Sequence, residues 1–367
     1  MSESTAAGPM TDLKAKFPNA VWTTRALNRL ARAQIPGSGL GGLAASVGWA
    51  ARVQGTASPV PFSAPRLIQF CGAYPPGWDA GELIAVPELI ASTRKGESLL
   101  ASTAAQAQVP VEIVEVPGHE FVAPGLLDTA SLHSAQSLGR QSADRAIDQG
   151  ADILLIGTFG AGAATAAAAV TSFTTRMDIT ELVAPMFNRE GLIDDASWMR
   201  RVAALRDHMA HNRGFKRKAD DVSARLGGAA LSAAAAAIVS AAVRSVPVLL
   251  DGPGAMAAMM IAREYTLAAP KWCYSPDRSP HPVVERLAKQ TGMAAGAGLG
   301  VDIADGISNV LGWQLMQRAV ELAASLPIPE DGESDDSVEK ETEEDTEEDT
   351  ELPLELQPNV DPNLLED

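Results

Sequence analysis

Two apolar patterns alternate along this chain. Short unbroken apolar runs bounded by turn residues read as buried strands. They are "RLIQFC" (66–71), "VPVEIVEV" (109–116), "ILLIG" (153–157) and "VPVLLDG" (246–252). Between them, apolar residues recur at helical spacing over 22–54, broken by "IPGSGLGGL", and over 87–107, 134–149, 198–211 and 222–243. Strands alternating with helices predict an α/β fold with a mainly parallel sheet, whose ligands bind at the strand carboxyl ends.

One strand end stands out. The stretch 153–170 reads "ILLIGTFGAGAATAAAAV", a strand, a glycine-spaced turn and a strong helix former. Gly157, Gly160 and Gly162 let the backbone turn tightly and aim N–H groups from a helix N-terminus. That geometry suits a phosphate, and it equally suits a tight turn with nothing bound. "DGPGA" (251–255) ends the clearest strand, so both loops can face one crevice.

Charge and cysteine change the picture in part. The chain has 367 residues and a formal net charge of −17. Of its 46 acidic and 29 basic residues, 18 and one fall in 330–367, which leaves 28 of each in 1–329. The body is formally neutral, which argues against nucleic-acid binding. Residues 329–367 read as a disordered, solvated acidic tail, and 1–19 as a flexible lead-in. Between them, 20–328 form the folded body. Cys71 and Cys273 make no disulfide framework and fit a reducing cytoplasm. No metal site is expected, since five histidines are scattered without ligand spacing. No signal peptide is apparent. The run Ala229–Val243 is uncharged but short, and reads as a buried helix rather than a membrane span. The charged stretch 189–221 reads as a solvated helical face, from which one arginine can still reach a phosphate.

Four segments, in order, carry a resemblance. "IPGSGLGGLAASVGWAARVQG" (35–55) resembles Pro-Pro-Gly-Ser-Leu-Gly-Arg-Leu-Glu and its helix to Gln-Gly. "ADILLIGTFGAGAATAAAA" (151–169) resembles a strand ending in Gly-Glu-Met-Gly-Ile-Gly-Asn-Thr-Thr. "DDVSARLGG…VPVLLDGPGAMAAMMIA" (220–262) resembles Asp-Pro-Leu-Glu-Val-Leu, a Gly-Gly pair, an alanine-rich helix and Pro-Val-Leu-Leu-Asp-Gly. "ADGISNVLGWQLMQRAVELAASL" (304–326) resembles Gly-Glu-Gly-Thr-Gly-Ala and its helix. Together they resemble the nicotinate-nucleotide–dimethylbenzimidazole phosphoribosyltransferases, collinearly from Trp22 to Leu326.

The resemblance implies a Rossmann-like sheet flanked by helices, with a smaller helical domain built partly from the N-terminal segment, and a homodimer. It implies transfer of the phosphoribosyl group of nicotinate mononucleotide to a benzimidazole, giving α-ribazole phosphate and nicotinate, with no cofactor and no membrane. By the same register Asp305 falls on the general-base glutamate, one methylene shorter. Thr158 falls on the glutamate of Gly-Glu-Met-Gly, so that carboxylate is lost. The nucleotide and its phosphate fall to Gly157, Thr158, Gly160, Gly162, Arg201 and Ser275, and the base to Glu88 and Asp251. His281 keeps loose register with a family histidine. The loop "CGAYPPG" (71–77) lacks the family's Asp and His.

Each of these residues has a plainer reading. Asp305 caps a helix, Asp251 holds a turn, His281 is a loop histidine, and Arg201 is a solvated side chain. Two other functions stay open. One is a non-catalytic relative that binds a nucleotide or base, motivated by the losses at Thr158, Ala163 and Ala164. The other is a nicotinamide-dinucleotide enzyme, motivated by "GAGAAT". It lacks the final glycine, and Asp178 does not sit at a strand end.

Overall fold

In the computed structural model, five parallel strands form one sheet in the order β2-β1-β3-β4-β5. They are β1 (Pro65–Cys71), β2 (Val111–Glu115), β3 (Ile153–Phe159), β4 (Val248–Leu250) and β5 (Cys273–Tyr274). The structure describes residues 9–33, 37, 39–83, 86–117, 121, 125–277, 279–293, 296–301 and 306–327. The four apolar runs are neighbours in the sheet, with Ile68 opposite Ile156 and Leu155 opposite Leu249. β5 has two residues and no apolar run of its own, and the sequence reading missed it.

Twelve helices surround the sheet among the described residues. They are α1 (Val21–Ala31), α2 (Ala44–Gln54), α3 (Val86–Lys95), α4 (Leu99–Gln106), α5 (Thr129–Asp148) and α6 (Ala163–Thr175). They continue as α7 (Asp195–His211), α8 (Ala219–Val222), α9 (Gly228–Val243), α10 (Gly252–Tyr265), α11 (Pro282–Thr291) and α12 (Ile307–Ser325). The single helix read over 87–107 is two, because Gly96 takes φ +79° and Ser98 restarts the chain by capping α4. The helix read over 222–243 begins as one π turn at Ser223–Gly227 before α9.

Alternation of side chains sorts the strands' two faces. Ile68, Phe70, Leu154, Ile156, Val248 and Leu250 face a core built with α5, α6, α9 and α10. Leu67, Ile153, Leu155 and Leu249 face a second core with α2, α4 and α12. α9 is alanine-rich and packs between α5 and α10, with its small side chains letting the helices lie close. The stretch Ala219–Val243 is long and apolar enough to cross a membrane, but 94% of its most apolar window is buried inside the protein, as befits a core helix. The N-terminal helices α1 and α2 pack with each other, and α2 packs on α12 around Val47, Ala319 and Ala323.

Part of the segment read as a flexible lead-in is packed. Met10 is buried in the main core. The Ala15 amide donates to Thr266 Oγ1 at 3.3 Å, and Trp272 Nε1 donates to the Lys16 carbonyl at 2.8 Å. One buried methionine in a polar stretch is too weak a periodic signal to reveal this. The expected acidic tail, 329–367, lies outside the described residues.

Candidate active site

Several helix N-termini end without a cap from their own side chains, and three of these meet at the carboxyl ends of the strands. α4, α5, α7 and α11 are capped by Ser98, Asp128, Asp194 and His281. α6, α10 and α12 start at Gly162, Asp251 and Gly306 with no cap of that kind. A cavity of about 220 Å³ opens where they meet. Gly160, Ala163, Gly252, Pro253, Gly254 and Gly306 line it beside Thr158 and Asp251. Helix N-termini carry partial positive charge and unsatisfied N–H groups, so their convergence favours an anion.

The glycines of the loop do different work. Gly160 has φ +154°, and a Cβ there would lie 2.1 Å from the Gly72 carbonyl oxygen. Only glycine lets the chain pass that close while lining the cavity. Gly162 has φ +89°, and a Cβ would press on Trp78 and Tyr74 at 2.9 and 3.0 Å. Gly157 lies inside β3, away from the cavity lining. Its missing side chain makes room for the Gln69 amide, 2.5 Å from an added Cβ.

One cation is buried at the cavity. Arg201, on α7, is only 4% exposed, which corrects its reading as a solvated side chain. Its Nε donates to the Ala80 carbonyl at 2.7 Å, and its Nη2 lies 2.9 Å from Glu82 Oε1. That ion pair is almost closed to solvent, with the two side chains 4% and 15% exposed. Burial lowers the Arg201 pKa, and the Glu82 charge opposes the shift.

Glu82 is the residue that sequence reasoning missed. Its Oε2 accepts the Gly162 N–H at 3.1 Å, so the carboxylate sits at the start of α6 where an anion is expected. Burial raises its pKa. Attraction to Arg201 and the Gly162 hydrogen bond oppose that, and Asp79 reinforces it. Asp251 plays a parallel part at α12, where its Oδ2 accepts the Asn309 N–H at 3.3 Å. Both carboxylates line the cavity, as does His281, whose Nδ1 caps α11. Phe159, Val183, Met186 and Pro253 give the cavity an apolar wall. Thr158 Oγ1 is buried without a partner beside Gly254.

Of the residues singled out in the sequence, the structure brings Thr158, Gly160, Arg201 and Asp251 together at this cavity. Gly162 adjoins it through Glu82. Ser275 is buried elsewhere, its Oγ donating to the Asp277 carbonyl at 2.8 Å. Glu88 stands exposed in the first turn of α3, outside the cavity lining. Asp305 lies outside the described residues, while its neighbour Gly306 lines the cavity.

A parallel sheet with an anion-favouring cavity at its carboxyl edge is the setting for a nucleotide-handling enzyme. A phosphoribosyltransferase family model (DBI_PRT) matches residues 15–332. The chain belongs to the nicotinate-nucleotide–dimethylbenzimidazole phosphoribosyltransferase family. It is 28% identical over 330 residues to the enzyme of that name from Streptomyces coelicolor, covering 83% of this chain and 91% of the relative. It is 31% identical over 296 residues to the one from Mycobacterium ulcerans, covering 72% and 79%. The fold matches the crystal structure of the Thermus thermophilus enzyme with a TM-score of 0.74 at 20% identity, over 84% of this chain and 96% of that one.

Proposed function

We propose that this protein transfers the phosphoribosyl group of nicotinate mononucleotide to 5,6-dimethylbenzimidazole or a related base, as in cobalamin biosynthesis or salvage. The products are α-ribazole 5′-phosphate and nicotinate. The observation that carries the reading is the meeting of three helix N-termini with buried Arg201 at one cavity, in a chain of this family.

The parts divide the chemistry. The phosphate goes to the α6 N-terminus and Arg201. The flat bases go to the apolar wall of Phe159, Val183, Met186 and Pro253. The bond from the ribose C1′ to nicotinate breaks, and its electron pair leaves on the pyridine nitrogen. The acceptor nitrogen attacks C1′, and its other nitrogen gives up a proton to Asp305 as general base. Thr158 lines the cavity where the family places a carboxylate, so that acid is not part of the machinery here. Buried thiols at Cys71 and Cys273 support a cytoplasmic protein. Exposed Phe187, Leu192, Ile193 and Met199, close together in the chain before and within α7, support a homodimer.

The test is an assay of free nicotinate from nicotinate mononucleotide with a panel of benzimidazoles. Release that depends on the added base is expected. Asp305→Asn lowers turnover by about 10²–10⁴-fold with nucleotide binding little changed. No nicotinate with any base overturns the transferase reading, and full activity in Asp305→Asn overturns the general-base role.

A further inference from the structure

The proposed substrate has two anionic ends, a carboxylate on the pyridine ring and a phosphate on the ribose. A bare anion hole at a helix N-terminus would take either. In this chain the hole already holds an anion of the protein's own. Glu82 Oε2 accepts the Gly162 N–H, and Oε1 faces Arg201 Nη2 at 2.9 Å. The Glu82 side chain is only 15% exposed. Arg201 is fixed from behind by the Ala80 carbonyl, so its Nη2 is held toward the Glu82 carboxylate.

Resting on the transferase reading, we propose that Glu82 is a specificity-determining residue: an internal carboxylate that the substrate's phosphate, but not its ring carboxylate, can replace. The argument is one of charge and acceptor number. An incoming carboxylate exchanges one planar monoanion for another and gains nothing over a tethered competitor. A phosphate monoester brings about −1.5 to −2 charges and three strong acceptor oxygens at neutral pH. It can take the Gly162 N–H, the Arg201 Nη2 and the first-turn amides of α6 together. Glu82 therefore sets a threshold that fixes which end of the nucleotide enters. Its place at the site, reached from the loop after β1, also gives the cavity an acid that Thr158 does not supply.

Equilibrium binding to the full chain tests this, with inorganic phosphate, nicotinate mononucleotide and free nicotinate as probes. Glu82→Gln keeps the shape and removes the charge. It is expected to bind phosphate and the mononucleotide about tenfold tighter or more, since a charged hydrogen-bond competitor is gone. Nicotinate should then compete with phosphate in the variant and not in the unmodified protein. Phosphate and nucleotide binding that is unchanged or weaker in Glu82→Gln overturns the proposal. If that variant does not fold, Glu82→Asp serves, because the shorter acid cannot reach both partners. Tighter phosphate binding in it supports the proposal, and unchanged or weaker binding overturns it. These measurements need no turnover, so they stand apart from the nicotinate-release assay.

Discussion

His208 sits on α7 with Nε2 at 2.7 Å from the Arg225 carbonyl and its ring edge-on to Trp78 at 5.0 Å. Burial lowers its pKa, the hydrogen bond to Arg225 opposes this, and His211 adds a little repulsion. A depressed folded pKa means the unfolded chain takes up the proton first. The stability is therefore complete above the ordinary histidine value of about 6.5 and is lost as pH falls toward the folded pKa. Urea unfolding at pH 7.5 and 5.5 checks the sign. His208→Gln is expected to lose less stability between the two pH values than the unmodified protein. Residues like Thr158, Gly160 and Asp251 could be read in advance because they end or follow strands, and the parallel topology sends all strand ends to one edge. Arg201 came from the family register, and its burial did not. Glu82 gave no signal. One of two acids in "WDAGELI", it has no spacing to mark it, and its role arises only when the loop after β1 meets the start of α6.

At the scale of elements, α5 and α9 come together backbone to backbone. A Cβ at Gly139 would stand 1.9 Å from the Ala233 carbonyl oxygen and 2.6 Å from its carbon. Both atoms are backbone in a helix buried from Gly228 to Ala242, so the helices must part rather than a side chain turn aside. Gly139→Ala is expected to destabilise by about 1–3 kcal/mol despite better helix propensity. Gly42→Ala, where an added Cβ meets nothing within 4 Å, is expected to stay within about 0.5 kcal/mol. Thermal unfolding of the two compares them. The alanines of α9 made the helix legible, since their propensity and lack of charge allow little else. What they could not say was which helix lies so close, because small residues fit any neighbour. β5 was illegible for the opposite reason: two residues, Cys273 and Tyr274, are too few for any periodicity. The break between α3 and α4 was written in "KGES", but its apolar flanks continued the helical spacing across it.

For the whole molecule the governing fact is where the charge lies. Residues 1–329 hold equal numbers of acids and bases, and 330–367 hold 18 acids and one lysine. All described helices and strands, and both main apolar cores, fall within the compact unit Met1–Ile328. The last helix ends at Ser325, with Ala323 still buried against Val47. Folding energy comes from that burial, and a run such as "EKETEEDTEEDTE" has almost no apolar surface to add. A chain ending at Ile328 is therefore expected to unfold at the same temperature as the full chain and to release nicotinate at the same rate. Solubility is where the two should part. The full chain, with a pI near 4.7, repels its own copies at pH 7. The shortened chain is formally neutral there and loses that repulsion, so its solubility minimum should move from the acidic range toward neutral pH. Turbidity across pH 4 to 8 reads this directly. A lower unfolding temperature in the shortened chain would instead mean that the acidic segment contributes contacts to the folded body.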